Sequence, residues 1–239
     1  MERERVLPIA TAILDRLASA CHKASLAGAL RRGQADVADV DLVCIPIHDA
    51  DLFGEEMDTF SALDGVLDAL QCEGVLTAPS CDGNRRMTFH IPLLENLPLE
   101  LTLTRPALWG PILALRTGPE AFVHRLLTQR SAGGLMPDPL LQIEGALWCF
   151  SNPQEAQVAR KVGSALGGSL LPCPTEADYF QQLRLPYLPP DQRNAESLCR
   201  LCDTPLSPVV YNRANENAPP EPLLRVAENT PTPPHHLVS

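Results

Sequence analysis

The chain has 239 residues, 45% of them hydrophobic, enough to bury one substantial core and to form two compact units. No apolar run is long enough to span a bilayer, and the opening Met1-Glu2-Arg3-Glu4-Arg5-Val6 is charged with no signal-peptide stretch behind it. A cytoplasmic protein is expected, in the host's cytoplasm if the chain is viral. The formal net charge of −10 weighs against a protein that grips long duplex DNA by electrostatics alone, and most of the eight cysteines, scattered among apolar neighbours, read as reduced core residues.

In chain order, Val6, Ile9, Ile13, Leu17 and Cys21 fall at helical spacing and predict an amphipathic helix over 6–21. A short strand and turn at 24–30 and a buried strand at 37–46 follow. Phe60, Leu63, Val66, Leu67 and Leu70 predict a second helix that ends before Gly74. Strands are expected at 86–92 and 97–104. The latter alternates, with Leu97, Leu99, Leu101 and Leu103 on one face and Glu100, Thr102 and Thr104 on the other. The fold class is therefore α+β, a mixed sheet backed by two helices with its acids on an open face.

From Pro106 the pattern changes to short helices. Pro106 and Pro119 fit first-turn positions, and Gly133-Gly134 closes the helix that holds Phe122, Leu126 and Leu127. Residues 140–150 read as a small hairpin. Asn152-Pro153 starts another helix, and Thr175-x-x-Asp178 reads as a capping box ahead of a further one. Three segments result: 1–105, 106–195, and a Pro-rich acidic tail over 196–239, with 205–239 expected to be mostly disordered.

The chemistry concentrates in AGALRRGQADVADVDLVCIP (27–46). Asp39 and Asp41 sit two residues apart, and in extended chain such positions share a face about 7 Å apart. Two carboxylates so placed can converge on a pair of divalent cations, while the Gly- and Arg-bearing turn offers N–H groups and guanidinium charge to a phosphate chain. Glu100 is the third acid. Alone, an Asp-x-Asp pair is an ordinary acidic strand end; the upstream turn and Glu100 give it weight. Arg85 and Arg86 are candidates to meet a phosphate backbone, or simply a solvated pair, and the same two readings hold for Arg116, Arg125 and Arg130. Cys199-x-x-Cys202 is half of a zinc site, and packing on a helical turn accounts for it equally well.

These residues resemble a known family. The run AGALRRG…DVDLV is similar to the palm of the family X DNA polymerases, the DNA polymerase beta type, with its Gly-Ser-x-Arg-Arg-Gly turn and Asp-x-Asp strand. Leu97–Thr104 resembles the strand of the family's third metal-binding acid. WGPILALRTGPEAFVHRLL (109–127) resembles the start of the thumb, and PTEADYFQQLRLPYLPPDQR (174–193) its closing segment. The ordered matches cover about residues 20–195, which is more specific than any single motif.

The resemblance implies a nucleotidyltransferase palm over 1–105 and a small α+β thumb over 106–195, a minimal monomeric enzyme of viral, phage or bacterial type. It implies Asp39, Asp41 and Glu100 as catalytic residues holding two Mg2+ ions, with Mn2+ as a substitute. Gly28, Ala29, Arg32, Thr117 and Gly118 take the nucleotide-binding positions, and the Thr117-Gly118 turn contains a cis peptide in the family. Trp109 and Trp148 become thumb core, and Tyr187 packs the thumb's last segment. Ala29 replaces a phosphate-binding Ser, Glu100 an Asp, Leu115-Arg116 an aromatic pair, and Val123 an Asn that reads the base edge. The implied activity is addition of dNMP from a nucleoside triphosphate to the 3′-OH of primed or gapped DNA, in repair or gap filling. Alternatives are nucleotidyl transfer to an RNA, protein or small-molecule acceptor, and a catalytically silent DNA-binding protein.

Overall fold

An apolar stripe starts the fold. In the computed structural model, which describes residues 1–48, 61–81, 86–194 and 197, helix α1 (Arg3–Ala18) buries Val6, Ala10, Ile13 and Leu17. Strand β1 (Cys21–Leu26), the short helix α2 (Gly28–Arg31) and strand β2 (Val40–Pro46) follow, then helix α3 (Ser61–Cys72), strands β3 (Ser80–Cys81) and β4 (Arg86–Ile91), and strand β5 (Leu97–Leu103). The strands form one sheet in the order β1-β2-β5-β4-β3, with β2 and β5 parallel and the remaining pairs antiparallel. It is a mixed sheet backed by helices, an α+β arrangement.

The alternation along β5 sets which face is buried. Leu97, Leu99, Leu101 and Leu103 join Val40, Leu42 and Cys44 of β2 and the apolar stripes of α1 and α3 in one core. Burying each such aliphatic side chain contributes roughly 1.5–3 kcal/mol. The opposite face is not uniformly open. Thr102 and Thr104 are buried, and at the β1–β2 end Ala27, Val43 and Ile45 pack on Trp109 and Leu113 of helix α4 (Trp109–Thr117). Asp41 and Glu100 keep partial exposure, as do Thr88 and Pro98 beside them.

Beyond α4 come helix α5 (Glu120–Leu127), the hairpin β6 (Leu140–Ile143) and β7 (Ala146–Cys149), helix α6 (Pro153–Val162), strand β8 (Ser169–Leu171) and helix α7 (Glu176–Gln182). Strands β6, β7 and β8 form an antiparallel sheet in that order. Phe122 and Leu126 of α5, Leu140 and Leu147 of the hairpin, and Tyr179 and Phe180 of α7 share a second core. Tyr187, half-exposed, stacks edge-on against Phe180 at 5.6 Å. Among the described residues, no helix is long and apolar enough to cross a membrane.

Several boundaries differ from the sequence reading. The first helix runs three residues earlier than 6–21, and the strand expected at 24–30 is β1, a half-exposed edge strand whose His22, Lys23 and Ser25 hide it from an apolar-run criterion. It stops because Gly28 takes φ +57° and opens α2. Gly133 does not close α5: that helix stops at Leu127, and Gly133, at φ +81°, ends a separate 3-10 turn over Arg130–Ala132. Gly134 passes the Thr128 carbonyl so closely that a Cβ would lie 2.0 Å from it, which holds the intervening chain away from a continued helix. Pro119 is the residue before α5 rather than its first turn. Among the described residues every peptide bond is trans, so the turn at Thr117-Gly118-Pro119 has no cis bond. Phe60, Arg85, Cys199, Cys202 and the tail expectations lie outside the described residues.

Candidate active site

Register brings the acids together. Strands β2 and β5 pair in parallel with Asp41 beside Glu100, and neighbouring strands lie about 4.8 Å apart. Asp39 lies two residues before Asp41, immediately ahead of β2. The three carboxylates feel one another. Burial, then the charges of Asp39 and Glu100, push the Asp41 carboxyl up to about 7, against the pull of Arg116 and Arg32. Asp39 is raised by burial and then by Glu100, with Arg32 opposing. Like charges gathered in a partly desolvated place behave this way.

The turn after β1 is fitted to Asp41. Gly28 is buried at φ +57°, and a Cβ there would lie 2.1 Å from Asp41 Oδ2. Glycine is required twice over, by the backbone conformation and by the approach of the carboxylate. The Ala27 N–H also donates to the Asp41 carbonyl at 2.8 Å, tying the turn to the acid's own backbone. Ala29, half-buried, packs against the main core.

The arginines of the turn reach the other half of the protein. Arg32 Nη1 donates to the Thr117 carbonyl at 2.6 Å; burial lowers its pKa while Asp41 and Asp39 oppose that shift. Arg31 Nη1 donates to Thr117 Oγ1 at 2.8 Å, and the same guanidinium bonds Glu176 at 2.9 and 2.6 Å. Thr117 is fully buried, so its hydroxyl serves this network. At Gly118 a Cβ would meet Phe122 at 2.6 Å and Val123 at 3.0 Å, which leaves no room for a side chain at the turn. On the far side of Glu176, Arg193 Nη1 donates to it at 2.7 Å, with Arg193 itself buried over the Phe180 ring. Burial pushes the Glu176 carboxyl up, and the bonds from Arg31 and Arg193 outweigh that and hold it below the usual range.

Glu100 is engaged as well. Both Arg86 of β4 and Arg116 of α4 donate to its Oε2, Arg116 at 3.2 Å. Among the described residues, no set of three or more acid, His or Cys side chains is arranged to hold a metal ion as it stands. The donor chemistry nevertheless suits a hard divalent cation: carboxylate oxygens, a glycine against which the Asp41 carboxylate is seated, and mutual repulsion that a cation would relieve.

The sequence pointed to Asp39, Asp41, Glu100 and Gly28, and the fold gathers them. It missed Arg31, Glu176 and Arg193, because ion pairs between residues so distant in sequence leave no local pattern. Of the arginines proposed to meet phosphates, Arg86 and Arg116 pair with Glu100, and Arg130 donates to the carbonyls of Leu183 and Leu135. No protein-family model matches this chain, and no curated protein matches it in sequence.

Proposed function

We propose that the chain is a metal-dependent nucleotidyltransferase of the family X DNA polymerase type, with residues 1–105 as palm and 106–195 as thumb. It would add dNMP to the 3′-OH of primed or gapped DNA, acting as a monomer in repair or gap filling. The observation that carries this reading is the meeting of the acids beside the glycine turn: Asp41 is in register with Glu100 and seated against Gly28, Asp39 lies two residues before it, and burial first, then the neighbouring acids, raise Asp39 and Asp41.

Asp39, Asp41 and Glu100 would hold two Mg2+ ions, which when bound supply charge neutralisation and a more acidic primer hydroxyl. The protein's own residues position the reactants. Gly28 lets backbone N–H groups approach a triphosphate, and Arg32, tethered to the Thr117 carbonyl, presents its charge beside the acids. Glu100 is positioned to accept a proton from an attacking hydroxyl only when its arginine partners release it.

Incubation with labelled dNTPs or rNTPs and a gapped duplex, with Mg2+ and Mn2+ in parallel, tests the reading. Templated dNMP incorporation that disappears in Asp41→Asn supports it. Label on RNA, protein or a small acceptor instead redirects the activity, and no cation-dependent nucleotide binding at all leaves a catalytically silent protein.

A further inference from the structure

Glu100 is the most heavily contested side chain in the site. One oxygen, Oε2, receives guanidinium donors from two different elements, Arg86 on the neighbouring strand β4 and Arg116 at the end of α4. Both arginines are partly exposed, 37% and 28%, and Glu100 is 22% exposed, so the pairing sits where solvent and ions reach it. Arg116 is not incidental to the neighbouring acid either, since its charge also acts on Asp41. Its backbone position is fixed one residue on, where Thr117 is held by Arg31 and Arg32.

We propose that Arg86 and Arg116 form a counter-ion clasp on Glu100 that competes with a divalent cation for the same carboxylate oxygen. The inference rests on the nucleotidyl-transfer reading of the site and adds to it two positioning residues that control cation entry. Oε2 already accepts two charge-assisted hydrogen bonds, and the two guanidinium charges repel a cation arriving at either oxygen of the carboxylate. The clasp thus holds the third acid in place while opposing its use by a cation. Cation and clasp compete for one carboxylate, so release of the guanidiniums strengthens the third ligand.

Mn2+ titration of the full chain, read by the electron paramagnetic resonance of free Mn2+, tests this without recourse to activity. Arg86→Gln with Arg116→Gln is expected to tighten Mn2+ binding about 5- to 100-fold, the range of ordinary site-to-site coupling. Arg86→Lys with Arg116→Lys, which keeps charge but loses the planar fork, is expected to fall between. In a Glu100→Gln background the same replacements should change affinity by less than about threefold, because the carboxylate charge for which cation and arginines compete is gone. Thermal unfolding of each variant establishes that it is folded. Unchanged or weakened Mn2+ binding in the folded double Gln variant overturns the clasp, as does equal tightening in the Glu100→Gln background. Binding that needs Asp41 yet ignores the arginines overturns the clasp alone. Failure of every variant to bind Mn2+, or binding indifferent to Asp41→Asn, overturns the underlying nucleotidyl-transfer reading too.

Discussion

Asp41 shows how a single residue can be costly to the fold it serves. An acid raised to about 7 binds its proton more tightly folded than unfolded. Ionising it therefore lowers stability as pH climbs from its ordinary value near 3.8; the penalty is complete above the folded value and absent below the unfolded one. Without divalent cations, Asp41→Asn is expected to raise the melting temperature at about pH 8 and to change it little near pH 4, with the difference growing through that window. Calorimetry of the two proteins across pH checks it, and a constant difference would contradict the assigned cause. Gly28→Ala is the complementary case. A Cβ 2.1 Å from Asp41 Oδ2, on a backbone at φ +57°, must displace the carboxylate or the turn. Nucleotide transfer is expected to fall at least about a hundredfold, as for misplacement of a reacting group by about 1 Å. The comparison is made at a temperature where circular dichroism shows the variant folded.

At the scale of elements, the Arg31–Glu176–Arg193 ion network joins α2, α7 and the segment after α7. Glu176 is 5% exposed and Arg193 fully buried, so Glu176→Gln leaves a buried guanidinium with its counter-charge removed. Breaking a buried pair in this way costs about 3–5 kcal/mol, measurable as a lowered denaturant midpoint. Thr175 is a milder test. Its hydroxyl oxygen accepts from the Asp178 N–H while the Asp178 carboxylate accepts from the Thr175 N–H, and Thr175→Ala is expected to cost about 1 kcal/mol.

These elements also show what sequence can and cannot tell. The box at Thr175 and the Asn152-Pro153 start of α6 were readable because a cap and its partner are neighbours in the chain. The leucine alternation of β5 was readable because a half-buried strand repeats every two residues. β8, three residues beside Gly167 and Gly168, and the edge strand β1 carry no such repeat. The end of α5 was misread at Gly133 because the close pass of Gly134 against Thr128 is a contact made by folding. In the site, the acids and the glycine were visible as spacing. The arginine partners of Glu100 and Glu176 were not, since charge pairing across elements depends on the sheet register and on where α4 lands.

For the whole molecule, the acid-bearing face of the first sheet is bounded by α4, and the turn that follows α4 is tied by Arg31 and Arg32 back to the Gly28 turn. The two cores therefore meet around the acids rather than at a distance from them. With a formal charge of −10, the proposed binding to nucleic acid would depend on local cations and arginines. If bound divalent ions supply that charge, DNA affinity is expected to rise with Mg2+ or Mn2+ at constant ionic strength, and Asp39→Asn with Asp41→Asn should lose that dependence; fluorescence anisotropy of a labelled gapped duplex reads it.

The most direct measurement is anomalous diffraction from crystals soaked with Mn2+ and a non-hydrolysable deoxynucleoside triphosphate. The account predicts metal peaks bridging Asp39, Asp41 and Glu100, phosphates lying against the Gly28 turn, and Glu100 Oε2 released from Arg86 and Arg116. Soaked crystals with no metal peak among the three carboxylates, and with Glu100 still paired to both arginines, would contradict it.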